Sequence, residues 1–145
     1  MDNPDDTACC ASCSEKFTYF LVHNGFNDSA YAYCDACGMT ALLSGWSKKI
    51  PDGLNLKLHE VISESVEPFL QKCTCGGKFK RGAAPRCPRC NSRLSATEVT
   101  KYIEANAPGA KKGWRWQQNW LGIYCMTIEG RVVNDNWKEA NEPAS

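Results

Sequence analysis

The chain has 145 residues, 43% hydrophobic and 23% charged, with a net charge of +1 and ten cysteines. That length suits one compact domain, or two very small ones that need cross-links or metal to fold. A mean hydropathy of -0.45 and no apolar run near the length of a bilayer span exclude a transmembrane helix.

The first residues, Met1-Asp-Asn-Pro-Asp-Asp6, are acidic and polar and lack the basic and apolar regions of a secretory signal. The expectation is a cytoplasmic protein in a reducing compartment, where clustered cysteines bind metal rather than form disulfides. The near-neutral total hides a block structure. Residues 1–71 sum to -6, residues 72–115 to +9 and residues 116–145 to -2. A basic block of this kind points to an anionic partner, to an acidic face of the same molecule, or to a solvated surface.

In chain order, residues 1–8 read as a disordered tail. Cys10-Ala-Ser-Cys13 follows, then Lys16-Phe-Thr-Tyr-Phe-Leu-Val22, rich in β-formers. Asn24-Gly25 marks a turn into Ala30–Tyr33, which predicts a hairpin ending at Cys34-Asp-Ala-Cys37. Met39–Ser44 is expected as a short helix and Pro51-Asp-Gly53 as a loop. Leu58, Val61, Ile62, the small Ser65 and Phe69 recur at helical spacing and predict a helical connector over residues 51–72. Cys73-Thr-Cys75 and Cys87-Pro-Arg-Cys90 bound the next segment. Ser95-Ala-Thr-Glu98 has the S-x-x-E capping-box pattern and opens a helix to about Asn106, ahead of a loop over 107–113. The last third is aromatic, with Trp114, Trp116, Trp120, Tyr124 and Trp137. Leu121–Ile128 and Arg131–Val133 are expected to pair as a hairpin through Glu129-Gly130, with residues 138–145 as a second tail. Bulky tryptophans are core residues more often than ligand contacts.

Eight cysteines form four close pairs: Cys10 and Cys13, Cys34 and Cys37, Cys73 and Cys75, Cys87 and Cys90. A two-residue gap turns both thiolates toward one ion, and two such turns complete a tetrahedron with Zn–S near 2.3 Å. Gly38, Gly76-Gly77 and Asn91 follow pairs at the point where such a turn requires positive φ. Disulfides would need export. A redox dithiol would need its CxxC at a helix start after a buried strand; Cys34–Cys37 does follow a strand-like segment, but its match to Cys10–Cys13 favours metal.

Residues 10–37 and 73–90 each resemble a zinc ribbon, in which two cysteine knuckles clamp one zinc at the end of a β-hairpin. The one-residue gap in Cys73-Thr-Cys75 and Asn91 in place of glycine depart from the pattern. The resemblance implies two Zn2+ ions; iron in a rubredoxin-like arrangement would use the same ligands. Both Cys13-Ser-Glu-Lys-Phe17 and Cys75-Gly-Gly-Lys-Phe79 read C-x-x-K-F, which favours pairing the knuckles in sequence order. The rival is a cross-brace, joining first to third and second to fourth. Sequence-order pairing gives a small α+β protein. Its modules would be a zinc ribbon at 9–50, the connector at 51–72, a second ribbon at 73–94, and a helix with an aromatic hairpin at 95–137. Cys9 and Cys125 remain outside the pairs, the latter in a β-like run that suits a buried apolar role.

Catalytic motifs fail. His59-Glu-Val-Ile-Ser63 has serine where a zincin needs its second histidine, the zinc-deaminase pattern is out of register, and no phosphate loop or dinucleotide fingerprint occurs. Closed four-cysteine sites leave no open coordination position, so the expectation is a binding protein and not an enzyme. Lys78, Lys80, Arg81, Arg86, Arg89 and Arg93 surround the second cysteine block. Lys111, Lys112, Trp114, Arg115 and Trp116 would add phosphate contacts and base stacking. Nucleic acid is thus the favoured partner, with a protein partner and purely structural zinc as the alternative.

Overall fold

A computed structural model describes residues 7–23, 29–54, 56, 61–106 and 124–138. Among these residues, seven strands form two sheets. The smaller holds β1 (Thr7–Cys9), β2 (Lys16–His23) and β6 (Tyr124–Ile128), in the order β1-β2-β6. The larger holds β3 (Ser29–Cys34), β4 (Thr40–Ser44), β5 (Phe79–Lys80) and β7 (Val132–Asn134), in the order β5-β3-β4-β7. A 3-10 helix at Glu64–Phe69 and an α-helix, α1 (Ala96–Asn106), are the other elements among the described residues. The architecture is small, mixed α+β and mostly strand.

β3 explains the layering. Its six residues are all buried, and the two faces of its pleat carry different side chains. Tyr31 and Tyr33 point into one core with Phe17, Tyr19, Val99, Ile103, Met126 and Ile128. Ala30, Ala32 and Cys34 point into a second core with Ala41, Leu43, Ile62, Val66, Leu70, Phe79 and Trp137. Small residues on that face leave room for Trp137, which is fully buried as its bulk predicts. The Tyr33 hydroxyl crosses between the sheets to donate to the Met126 carbonyl at 2.9 Å.

Several local expectations change once strands pair over long distances. The predicted hairpin of Lys16–Val22 with Ala30–Tyr33 does not form, because β2 pairs with β1 and β6 whereas β3 pairs with β4 and β5. Met39–Ser44 is a strand and not a helix. Its leucines and alanine have helical propensity, yet Thr40–Leu42 lie between β3 and the parallel strand β7. The C-terminal segments do turn at Glu129-Gly130, both at positive φ, but β6 and β7 enter different sheets instead of pairing. The described residues of the connector hold one 3-10 helix, flanked by isolated bridges from Val61 to Tyr31 and from Leu70 to Trp137. Thr7 and Ala8, in the expected N-terminal tail, belong to β1. The Asn24-Gly25 turn, His59 and residues 107–123 and 139–145 lie outside the described residues.

The capping box reads as expected. The Ser95 hydroxyl accepts the Glu98 N–H at 3.1 Å, and Glu98 accepts the Ser95 N–H at 2.9 Å. Val99 and Ile103, four residues apart, are the buried face of α1.

Candidate metal centres

All four cysteine pairs fold into the same knuckle. In three of them the first cysteine's N–H donates to the carbonyl five residues on, and the N–H four residues on donates back to that cysteine. The bonds are Cys10 to Glu15 and Ser14 to Cys10, Cys34 to Met39 and Gly38 to Cys34, Cys87 to Ser92 and Asn91 to Cys87, at 2.9–3.0 Å. Cys73-Thr-Cys75 makes the same turn one residue tighter, with Cys73 donating to Gly77 and Gly76 to Cys73, both at 2.8 Å. The shortened gap is therefore a contraction of the knuckle and not a loss of it. The residue after each second cysteine has positive φ: Ser14, Gly38, Gly76 and Asn91. Backbone N–H groups also reach sulfur, from Ser12 to Cys10, Ala36 to Cys34, Gly77 to Cys75 and Arg89 to Cys87, at 3.3–3.4 Å. Such donors favour thiolate.

The knuckles assemble in an order that the sequence did not predict. Cys10, Cys13, Cys87 and Cys90 form one group and Cys34, Cys37, Cys73 and Cys75 another, each with its sulfurs within 4.8 Å of one another. The pairing is nested, first with fourth and second with third. Neither the sequence-order arrangement nor the cross-brace is observed. The two C-x-x-K-F knuckles do sit in different sites, but with their second knuckles exchanged. The cause is sheet topology. Antiparallel pairing of β3 with β5 sets Cys34 opposite Phe79 and brings the second knuckle to the third. Residues 83, 84 and 94 then pack in the core that holds Phe17, which carries the fourth knuckle to the first.

The donor set fits a tetrahedral ion. Close sulfur pairs lie at 3.6 Å (Cys10 to Cys90), 3.7 Å (Cys13 to Cys87), 3.5 Å (Cys34 to Cys75) and 3.5 Å (Cys37 to Cys73). A tetrahedron with Zn–S near 2.3 Å has edges of about 3.8 Å. These contacts are too long for disulfides and suited to four thiolates around one ion. Each site has two buried cysteines, one half-buried and one exposed, the exposed ones being Cys75 and Cys90. The Ser92 hydroxyl and N–H hold the Cys90 thiol down to about 6. Hydrogen bonding from the Gly77 N–H holds Cys75 down to about 7. Burial pushes Cys34 up to about 12.

The sites share a wall. Arg86, just before the fourth knuckle, donates to the Asp35 carbonyl of the second at 3.0 Å and to the Asn91 carbonyl at 2.7 Å. The Asn91 amide donates to the Ala36 carbonyl at 2.8 Å. Gly38 packs so closely that a Cβ there would lie 2.4 Å from the Arg86 nitrogen. Supporting residues that the sequence reading missed are Asp35, whose carboxylate accepts the Lys78 N–H, and Arg131, which donates to the Cys37 carbonyl at 3.0 Å. No spacing marks either one. Cys9 and Cys125 belong to neither group. Cys9 is exposed with its sulfur 3.4 Å from the Ser14 carbonyl, and Cys125 is buried 3.4 Å from the Tyr33 hydroxyl.

Of the predicted cations, Lys80, Arg81, Arg86 and Arg93 line a cavity of about 520 Å³ together with Asp35, Glu64 and Glu67. Lys78 and Lys72 line an adjoining one of about 260 Å³ that shares Lys80, Glu64 and Glu67. Arg89 stands apart, paired with Glu129 at 2.7 Å. Lys111, Lys112, Trp114, Arg115 and Trp116 lie outside the described residues. Several of the groove's cations already serve the fold: Arg81 donates to the Ile62 carbonyl and Arg93 to that of Gly82, both at 3.0 Å, and Lys80 is 3.9 Å from Asp35. Among the described residues no helix is long and apolar enough to cross a membrane.

A family model described as "Domain of unknown function (DUF8255)" matches residues 6–96, a span that includes all eight clustered cysteines. No curated protein and no solved structure matches the chain.

Proposed function

Since the chain belongs to the DUF8255 family, whose description assigns no activity, we propose from its site chemistry that it is a non-catalytic zinc-binding module of a reducing, cytoplasmic compartment that holds an anionic partner, nucleic acid first, in its basic groove. Zinc is the default ion for closed four-thiolate structural sites. Four thiolates complete the tetrahedron and leave no position for substrate or activated water. Two loaded sites bring eight negative thiolates and four positive charges, which lowers the formal +1 of the chain to about -3. The basic block from 72 onward thus has one partner inside the molecule, the two dianionic centres.

The observation that supports an external partner is the groove. Five of the predicted nucleic-acid residues, Lys78, Lys80, Arg81, Arg86 and Arg93, line its two joined cavities. Asp35, Glu64 and Glu67 in the same groove favour a second reading, a protein segment that presents both signs of charge. Fluorescence anisotropy of labelled single-stranded and duplex DNA and RNA at 50 mM salt separates the two. At most five phosphate contacts to a single strand are open to this groove, so the slope of log affinity against log salt should be no steeper than about -3.5. Arg93→Glu should weaken every sequence alike. No anisotropy change with any nucleic acid at that salt refutes the first reading and leaves the protein segment.

A further inference from the structure

We infer that the two metal sites load as one cooperative unit, coupled through Arg86 and Asn91. The inference rests on the metal-binding reading and concerns how the ions enter, which the sites' composition alone does not determine. The nested order is the first cause. The outer site joins Cys13 to Cys87 across 73 intervening residues. Once the inner site has tied Cys34 and Cys37 to Cys73 and Cys75, the outer loop shortens to residues 14–33 and 76–86. Loop-closure probability scales as about the -3/2 power of length, so the shortening favours the outer site by roughly fourfold. Sequence-order pairing would give no such gain, because neither loop would lie inside the other.

Direct contact is the second cause. Arg86 and Asn91 belong to the segment of the outer site's second knuckle, yet they donate to the Asp35 and Ala36 carbonyls within the inner site's first knuckle. Those carbonyls lie in the Cys34–Cys37 turn, whose geometry closing the inner site fixes further. A net hydrogen bond contributes a factor of about five, so two of them with the loop term give coupling on the order of a hundredfold. Arg86 and Asn91 are thus positioning residues that touch no ion. They transmit the formation of one site to the other.

The test is native mass spectrometry of the full chain, reduced and metal-free, titrated with zinc alone to one equivalent. For two sites of equal affinity, hundredfold coupling leaves about one molecule in ten singly loaded, whereas independent sites leave one half. Arg86→Ala with Asn91→Ala should raise the singly loaded fraction to about one in three while the end point stays at two ions. A general loss of stability would not redistribute the loading states in this way. Arg86→Lys, which keeps the charge and bulk and loses the fork, should give an intermediate fraction if the double variant does not fold. A wild-type chain that is half singly loaded overturns the inference. So do variants that fold and stay as cooperative as the parent. Retention of no metal at all overturns the metal reading itself, an outcome distinct from both.

Discussion

Gly38 and Gly76 occupy the same position in two knuckles of the inner site, which makes them a matched pair for measuring the wall between the sites. Both have positive φ, +76° and +96°. Alanine at either pays the left-handed cost of about 1–2 kcal/mol, offset in part by a less flexible unfolded chain. The two differ in space. A Cβ on Gly76 meets nothing within 4 Å, whereas one on Gly38 lies 2.4 Å from the Arg86 nitrogen and 3.1 Å from the Pro85 carbonyl carbon. Those are backbone atoms, so relief requires moving the segment that leads into Cys87. Overpacking of this kind costs about 1–3 kcal/mol. Gly76→Ala is therefore expected to lose about 1 kcal/mol and Gly38→Ala about 2–4 kcal/mol, read by guanidinium unfolding of the zinc-loaded protein with matched slopes. Chelator competition should also show Gly38→Ala weakening the outer site, although Gly38 belongs to the inner one. Equal losses for the two variants, or a Gly38→Ala defect confined to the inner site, would refute the shared wall.

Two further outcomes follow from the same geometry. Cys9→Ser and Cys125→Ser should each retain two zinc ions, while Cys10→Ser should lose the outer site; intact-mass measurement under native conditions decides this, and a lost ion in Cys9→Ser would make Cys9 a ligand. Acid should weaken metal binding, with a change of slope set by each site's exposed thiol. Cys75 and Cys90 are held at about 7 and about 6, below the usual thiol value, so what their ionisation adds is present at neutral and higher pH and is lost as pH falls through those values. Above them, binding displaces protons only from the remaining thiols; below them, one more proton per site must leave. Log affinity against pH should steepen by one proton below about 7 at the inner site and below about 6 at the outer. Straight lines through pH 5–8 would contradict the assignment.

The features legible in the sequence were those set within a few residues. Each knuckle is a local turn, so spacing and the small residues behind it sufficed, and even the contracted Cys73–Cys75 turn conforms. The Ser95 capping box is equally local. What was not legible depended on distant partners. Met39–Ser44 has the composition of a helix and is a strand because β3 and β7 flank it. The repeated C-x-x-K-F pattern pointed to sequence-order pairing and was misleading, because each of those knuckles takes a different mate. β3 carries Cys34 alongside β5 and so unites the second knuckle with the third. Charge composition marked a basic block without showing that Arg89 pairs with Glu129 outside the groove, or that Arg86, in the groove lining, also holds carbonyls of the fold.

The central claim is the nested assembly of the two four-cysteine sites. It is tested most directly by replacing zinc with cadmium-113 and correlating each cadmium resonance with cysteine β-protons by NMR. One cadmium should couple to Cys10, Cys13, Cys87 and Cys90 and the other to Cys34, Cys37, Cys73 and Cys75. A cadmium coupled to Cys10, Cys13, Cys34 and Cys37 would contradict it.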